Sequence, residues 1–145
     1  MVSSKMNISL RRGERLFING AVIRVNRKVC IELLNDVTFL LEHHIIQPEE
    51  AVTPIQQLYI AIQTILMAPA EREKSLLISL DLLKSIQLLS GDNFVISSMK
   101  EVQIYLEMNK PLEALKSLRS LLNVYRLHTL EDDNHRKIHQ LDQRR

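Results

Sequence analysis

The chain predicts an α+β protein, a small N-terminal antiparallel β unit followed by about four α-helices, and three observations predict it. Short runs of alternating apolar and polar residues fill the first part, with an Asn-Gly step at Asn19-Gly20 between two of them. From Pro48 onward apolar residues recur at helical spacing, and the breaks between the runs carry proline or glycine. No strand pattern follows a helical one, which removes the parallel sheets of alternating α/β proteins. The expected organisation is an antiparallel β unit over 1–47, a helical part over 48–130 and a polar tail over 131–145.

In order, Met6, Ile8 and Leu10 alternate with polar neighbours and stop at Arg12-Gly13. Leu16-Phe17-Ile18 then leads into Asn19-Gly20, where both central residues of a type I′ turn need positive φ, so 21–25 pairs back on 15–18. A turn around Asn26-Arg27 leads to a strand over 29–34, and Asn35-Asp36 to another over 37–41. Cys30, inside Val29-Cys30-Ile31, is expected as a small buried hydrophobe.

Thr53-Pro54-Ile55-Gln56 starts the first helix: a hydroxyl to cap a free amide, proline at the first helical position, and Gln56 to close a capping box. Pro69 ends it. A second helix over 70–89 carries Leu76, Leu80 and Leu83 on its apolar face, and Asn93 is placed to cap a third through Phe94, Met99, Val102 and Leu106. Pro111 opens a fourth, with Leu112, Leu115, Leu118, Leu122 and Tyr125 on one stripe. Beyond Leu130 too little apolar surface remains to offset the entropy of ordering.

Composition excludes several classes of function. The chain has 145 residues, 46% of them hydrophobic and 25% charged, as ordinary globular domains do. Its 3 glycines are too scattered to write any phosphate-cradling loop, and its 1 cysteine rules out an intramolecular disulfide or a paired-cysteine metal site, pointing to a reducing compartment. No apolar run approaches the roughly 20 residues of a membrane span, and no secretory signal is written at the N-terminus. A cytoplasmic protein without cofactor or metal is expected. His43-His44 reads as a surface turn, and His135 with His139 as part of a solvated tail, because neither pair has a third ligand at workable spacing. No nucleophile has a visible base, so no enzyme is expected.

Charge distribution is the most informative feature. The net charge is only +2, yet residues 1–30 hold seven basic side chains against Glu14, the next hundred residues are net acidic, and the last dozen are basic again. Arg11, Arg12 and Arg15 flank Gly13, and Arg24, Arg27 and Lys28 surround the turn after the Asn-Gly hairpin. Two readings stand side by side: these six groups hold the phosphates of a nucleic acid, or they guard a sheet edge against aggregation.

Arg12-Gly13-Glu14-Arg15-Leu16-Phe17-Ile18-Asn19-Gly20-Ala21-Val22, then Gln47-Pro48-Glu49-Glu50-Ala51-Val52-Thr53-Pro54 and Leu58-Tyr59, resemble the FlbT family of flagellar post-transcriptional regulators. The matching positions are Gly13, Asn19, Gly20, Pro48, Glu49, Glu50, Thr53, Pro54 and Tyr59, most of them turn or helix-start residues by the physical reading above. The resemblance implies a small cytoplasmic regulator of flagellated alphaproteobacteria that acts on flagellin messenger RNA through its 5′ untranslated leader, usually as a repressor, with the regulator FlaF as functional counterpart. A protein-interaction module or chaperone-like adaptor, binding flagellin or FlaF through its helices, is the other reading. Gln56-Gln57 stands where relatives carry an arginine pair, and Leu41-Glu42-His43-His44 where they carry a basic run. Both departures shift the expected RNA contact to the N-terminal arginines.

Overall fold

Residues 6–124 are described by the computed structural model; Tyr125, the His135/His139 pair and the tail expected over 131–145 lie outside them. Five strands come first: β1 (Met6–Leu10), β2 (Arg15–Ile18), β3 (Ala21–Arg24), β4 (Val29–Leu33) and β5 (Phe39–Leu41). Helices α1 (Pro54–Met67), α2 (Arg72–Leu89) and α3 (Asn93–Glu107) follow, and α4 runs from residue 111 through 124, where the described chain ends. The α+β class and the order of its parts are as the sequence predicts.

The β2–β3 hairpin closes Ile18 on Ala21, with Asn19 at φ 48° and Gly20 at φ 82° as a type I′ turn requires. The remaining strands do not continue as a meander. β1 pairs antiparallel with β4, and β5 adds to the other side of β2, giving a two-stranded sheet β1-β4 and a three-stranded sheet β3-β2-β5. Ile8, Leu10 and Leu16 form the buried cluster of this layer, surrounded by half-buried Ile18, Val25, Val29, Ile31, Leu33, Phe39 and Leu41. Cys30 is exposed, against expectation. Strand period 2 turns Val29, Ile31 and Leu33 toward the cluster and leaves Cys30 with Glu32 on the solvent face.

α1 starts as its sequence dictates. Gln56 N donates to Thr53 Oγ1 at 3.2 Å, while Gln56 Oε1 accepts from the Val52 and Thr53 amides at 3.0 Å. Two expectations for the later helices are corrected. Asp92, not Asn93, caps α3, accepting from Phe94 N at 2.8 Å, so Phe94 is exposed and Val95 enters the core. On α2 the buried stripe is Ser75, Ser79, Leu83 and Ile86, with Leu76 and Leu80 at its margins. The buried Ser79 Oγ is satisfied by donating to Ser75 O at 2.7 Å, the back-bond that lets a hydroxyl sit inside a helix interface.

The helical core comprises Leu58, Tyr59, Ile62, Ile65, Leu83, Ile86, Val95, Met99, Val102, Leu106, Ala114, Leu115, Leu118 and Leu121, and one residue of β5, Leu40, completes it. Gln63 makes the second tie between the layers. Its buried side chain accepts from Ile46 N and donates to Ile46 O, both at 3.0 Å, pinning the segment that leaves β5 against α1. The hairpin tip makes a third, where Gly20 approaches the Pro69 ring after α1.

Candidate nucleic-acid interface

Sheet pairing decides where the six basic candidates lie. Leu10 opposes Val29 and Arg15 opposes Arg24, so the turn after β1 and the turn after β3 emerge side by side from one end of the β layer. Gly13, at φ 80°, seals them together by donating its amide to Val25 O at 2.7 Å, and Val25 N returns a bond to Glu14 O at 3.3 Å. Arg11 and Arg12 are carried by the first turn, Arg27 and Lys28 by the second, and Arg24 by the adjoining end of β3. All five are exposed, and none forms an ion pair among the described residues.

Arg15 stands apart. Its backbone amide donates to Glu42 Oε2 at 2.9 Å and its guanidinium to Glu42 Oε1 at 2.9 Å, and the guanidinium carbon lies 5.7 Å from the centre of the Phe17 ring. The Arg15 backbone amide and then its guanidinium hold the Glu42 carboxyl below the usual carboxylate range against partial desolvation, and the charge of Arg24 adds to this. Arg15 and Arg24 face each other across the hairpin, an arrangement that repels, and Glu42 offsets it. Of the six candidates, five are therefore open to a ligand and one is already paired.

The family-motif positions sit where the chain needs particular backbone geometry. Gly13, Asn19 and Gly20 make the two turns; Pro48, Glu49 and Glu50 form a 3-10 turn; Thr53 and Pro54 begin α1. Tyr59 does more. Its buried ring belongs to the helical core, while its hydroxyl donates to His44 O and accepts from Arg119 Nε at 3.4 Å. This contact opens on a groove of about 850 Å³ between the 3-10 turn Glu42–His44, the start of α1 and α4. The His43 and His44 rings meet there at a tilt, centroids 4.0 Å apart and planes 55° from parallel. Burial pushes His44 down to about 4, and the charges of Arg119 and Lys116 and the His43 ring act the same way.

Sequence reasoning missed this groove. His43-His44 reads as a surface turn, which is its backbone conformation, and Arg119 is 60 positions from Tyr59 in what the pattern presents as a leucine stripe. No local signal links them. No group of three metal-ligating side chains gathers among the described residues, and none of the described helices is long and apolar enough to cross a membrane.

Comparisons with known proteins point one way. The family described as "Flagellar protein FlbT" matches residues 6–126. A protein of Allorhizobium ampelinum named "Probable flagellum biosynthesis repressor protein FlbT" is 45% identical over 123 residues, covering 83% of this chain and 80% of its own length. Proteins of the same name from Brucella abortus and Brucella suis biovar 1 are each 45% identical over 115 residues, covering 79% of this chain and 76% of theirs. No solved structure matches the chain.

Proposed function

Because the chain belongs to the FlbT family of flagellar proteins, we propose that it regulates flagellum biosynthesis after transcription, as a non-enzymatic RNA-binding repressor acting in the cytoplasm. Its target is the 5′ untranslated leader of flagellin messenger RNA, held directly or within a complex so that translation or message stability falls. The observation that carries the RNA contact is the pair of adjoining turns bearing Arg11, Arg12, Arg24, Arg27 and Lys28, which form no ion pair among the described residues. Cations fixed on a rigid layer meet successive phosphates and release their counterions, which gives salt-dependent affinity. Arg15, bonded to Glu42, supports the layer rather than the ligand.

Filter binding of the purified protein to the flagellin leader tests this. Replacing Arg24, Arg27 and Lys28 with alanine should weaken binding to any RNA and reduce the salt slope by roughly 2, about 0.7 for each single-strand phosphate no longer neutralised. The circular dichroism spectrum should not change. Original affinity and slope in the triple variant would mean that the cations protect the sheet edge instead.

A second reading has its own observation. Leu88 and Leu89, at the end of α2, are 83% and 87% exposed, and Phe94 beyond them is also exposed, an apolar corner suited to a protein partner. In this version the chain is an interaction module or chaperone-like adaptor for flagellin or FlaF. Recovery of either protein in a pulldown that survives RNase treatment favours it, and recovery that disappears with RNase counts against it.

A further inference from the structure

The groove beneath Tyr59 is a surface the proposed message contact does not use, and its chemistry is specific. Arg119 lines it with no carboxylate partner among the described residues; its one bond is the long contact to the Tyr59 hydroxyl. Lys116, one turn earlier on α4, is close enough to act on the His44 ring. The imidazoles of His43 and His44, tilted 55° to each other, both line the groove, and Ile55 and Leu122 supply apolar wall. Glu50 also lines it, so a bare anion would meet a carboxylate as well as the guanidinium. A ligand that joins an anion, a flat ring and hydroxyl donors satisfies all of these groups at once.

We propose that the groove holds one ribonucleotide of single-stranded RNA, its phosphate at Arg119, its base against a histidine ring and the apolar wall, and its ribose 2′-hydroxyl toward Glu50. This rests on the RNA reading above and extends it to a second contact surface. The two surfaces adjoin: His43 Nδ1 lies 3.9 Å from Glu14 Oε1, and Glu14 belongs to the turn that carries Arg11 and Arg12, its carboxylate accepting from Arg11 N at 3.0 Å. A strand leaving the basic turns therefore reaches Arg119 across His43, and the cations hold the backbone while the groove takes one base. Contact between a base and a flat side chain is a usual means by which proteins hold unpaired bases.

The test follows the imidazole resonances of His43 and His44 in the full chain during titration with AMP, UMP, dAMP and inorganic phosphate. The ribonucleotides should shift both rings saturably, dAMP should bind more weakly, and phosphate should leave them near their starting positions. Arg119→Ala should reduce AMP affinity and leader RNA affinity by about tenfold, the scale of one charge-assisted contact. Arg119→Lys, which keeps the charge and the fold without the fork, should fall between. The proposal is overturned if no nucleotide moves the rings, if phosphate alone moves them as AMP does, if both Arg119 variants bind AMP like the parent, or if a flagellin peptide occupies the groove where nucleotides do not. The two RNA surfaces fail separately. Leader binding weakened by the triple variant with no nucleotide at His44 leaves the message reading standing and removes the groove; AMP binding without leader binding does the reverse.

Discussion

The β layer and the helical body reach a fixed shape by different means. The helical body buries a continuous cluster drawn from all four helices and joined by Leu40 of β5, whereas the β layer's own cluster has three buried members, Ile8, Leu10 and Leu16. What the layer lacks in burial it makes up in geometry: two turns with positive φ, the Arg15–Glu42 bonds, and ties to the helices through Leu40, Gln63 and the hairpin tip. A layer fixed in this way needs little of its outer surface for packing: Arg11, Arg12, Arg24, Arg27 and Lys28 are exposed on it, beside exposed Met6, Val22, Ile23 and Leu34. The helical body gives its inner faces to packing, and Arg119 reaches the groove beneath Tyr59 from the rim of the core.

The largest expected effect lies in the helical body. Leu118→Ala, at a fully buried position, should lower unfolding free energy by about 2–5 kcal/mol, read by denaturant melts. Leu10→Ala should cost less, because half-buried neighbours can close on the gap, and should raise hydrogen exchange in the strands before the helices. Equal protection losses in both regions would show that they unfold as one unit, which breaks the comparison.

Next come the ties. Gln63→Leu leaves the amide and carbonyl of Ile46 without their partner, a loss of about 1–3 kcal/mol when a buried group goes unsatisfied. Gly20→Ala and Gly13→Ala should each cost on the order of 1–2 kcal/mol for a left-handed residue with a side chain. Both glycines have positive φ, and an added Cβ would make only ordinary contact at Gly20, 3.4 Å from Pro69 Cδ, and would meet nothing within 4 Å at Gly13, so the two variants should melt alike. A clearly lower melting temperature for Gly20→Ala would mean that the hairpin tip has no room for a methyl group against Pro69.

What the sequence made legible follows the same division. Local chemistry was readable: Asn19-Gly20 dictates its turn, Thr53-Pro54-Ile55-Gln56 its capping box, and the helices lie close to where periodicity puts them. Errors arose where a choice between faces or neighbours depended on tertiary packing. Cys30 sits among apolar residues but alternates outward, and Ser75 and Ser79 displace Leu76 and Leu80 from the centre of the α2 interface because a small side chain fits there. The crossed pairing of β1 with β4 and the meeting of Tyr59 with Arg119 are long-range events that no local pattern encodes.

A smaller effect links the two regions through pH. His44 titrates near 4 in the folded chain against an ordinary value of 6.5, so between those values the unfolded chain takes up a proton that the folded one does not. Stability is complete above about pH 6.5 and declines as pH falls toward 4, by on the order of 1 kcal/mol once solvent screening of a half-buried ring is allowed for. His44→Gln should flatten that part of the melting temperature against pH profile. A profile of unchanged slope would remove His44 as its source.

The smallest change in stability and the sharpest test of the β layer is Glu42→Gln. The Glu42 carboxylate takes both the amide and the guanidinium of Arg15, but the pair is more than a third exposed on each side, and exposed ion pairs contribute little to stability. Melting should therefore move little. Charge is a different matter, because the amide keeps an acceptor for the Arg15 backbone while the guanidinium loses its counter-charge next to Arg24. Arg15 then joins the open cations, so leader RNA should bind more tightly at low salt, with a salt slope steeper by about 0.7. An unchanged slope would mean that Arg15 points away from the bound strand even when unpaired, confining the phosphate contacts to the two turns; a shallower slope would mean that Glu42 positions the layer on which those turns are held.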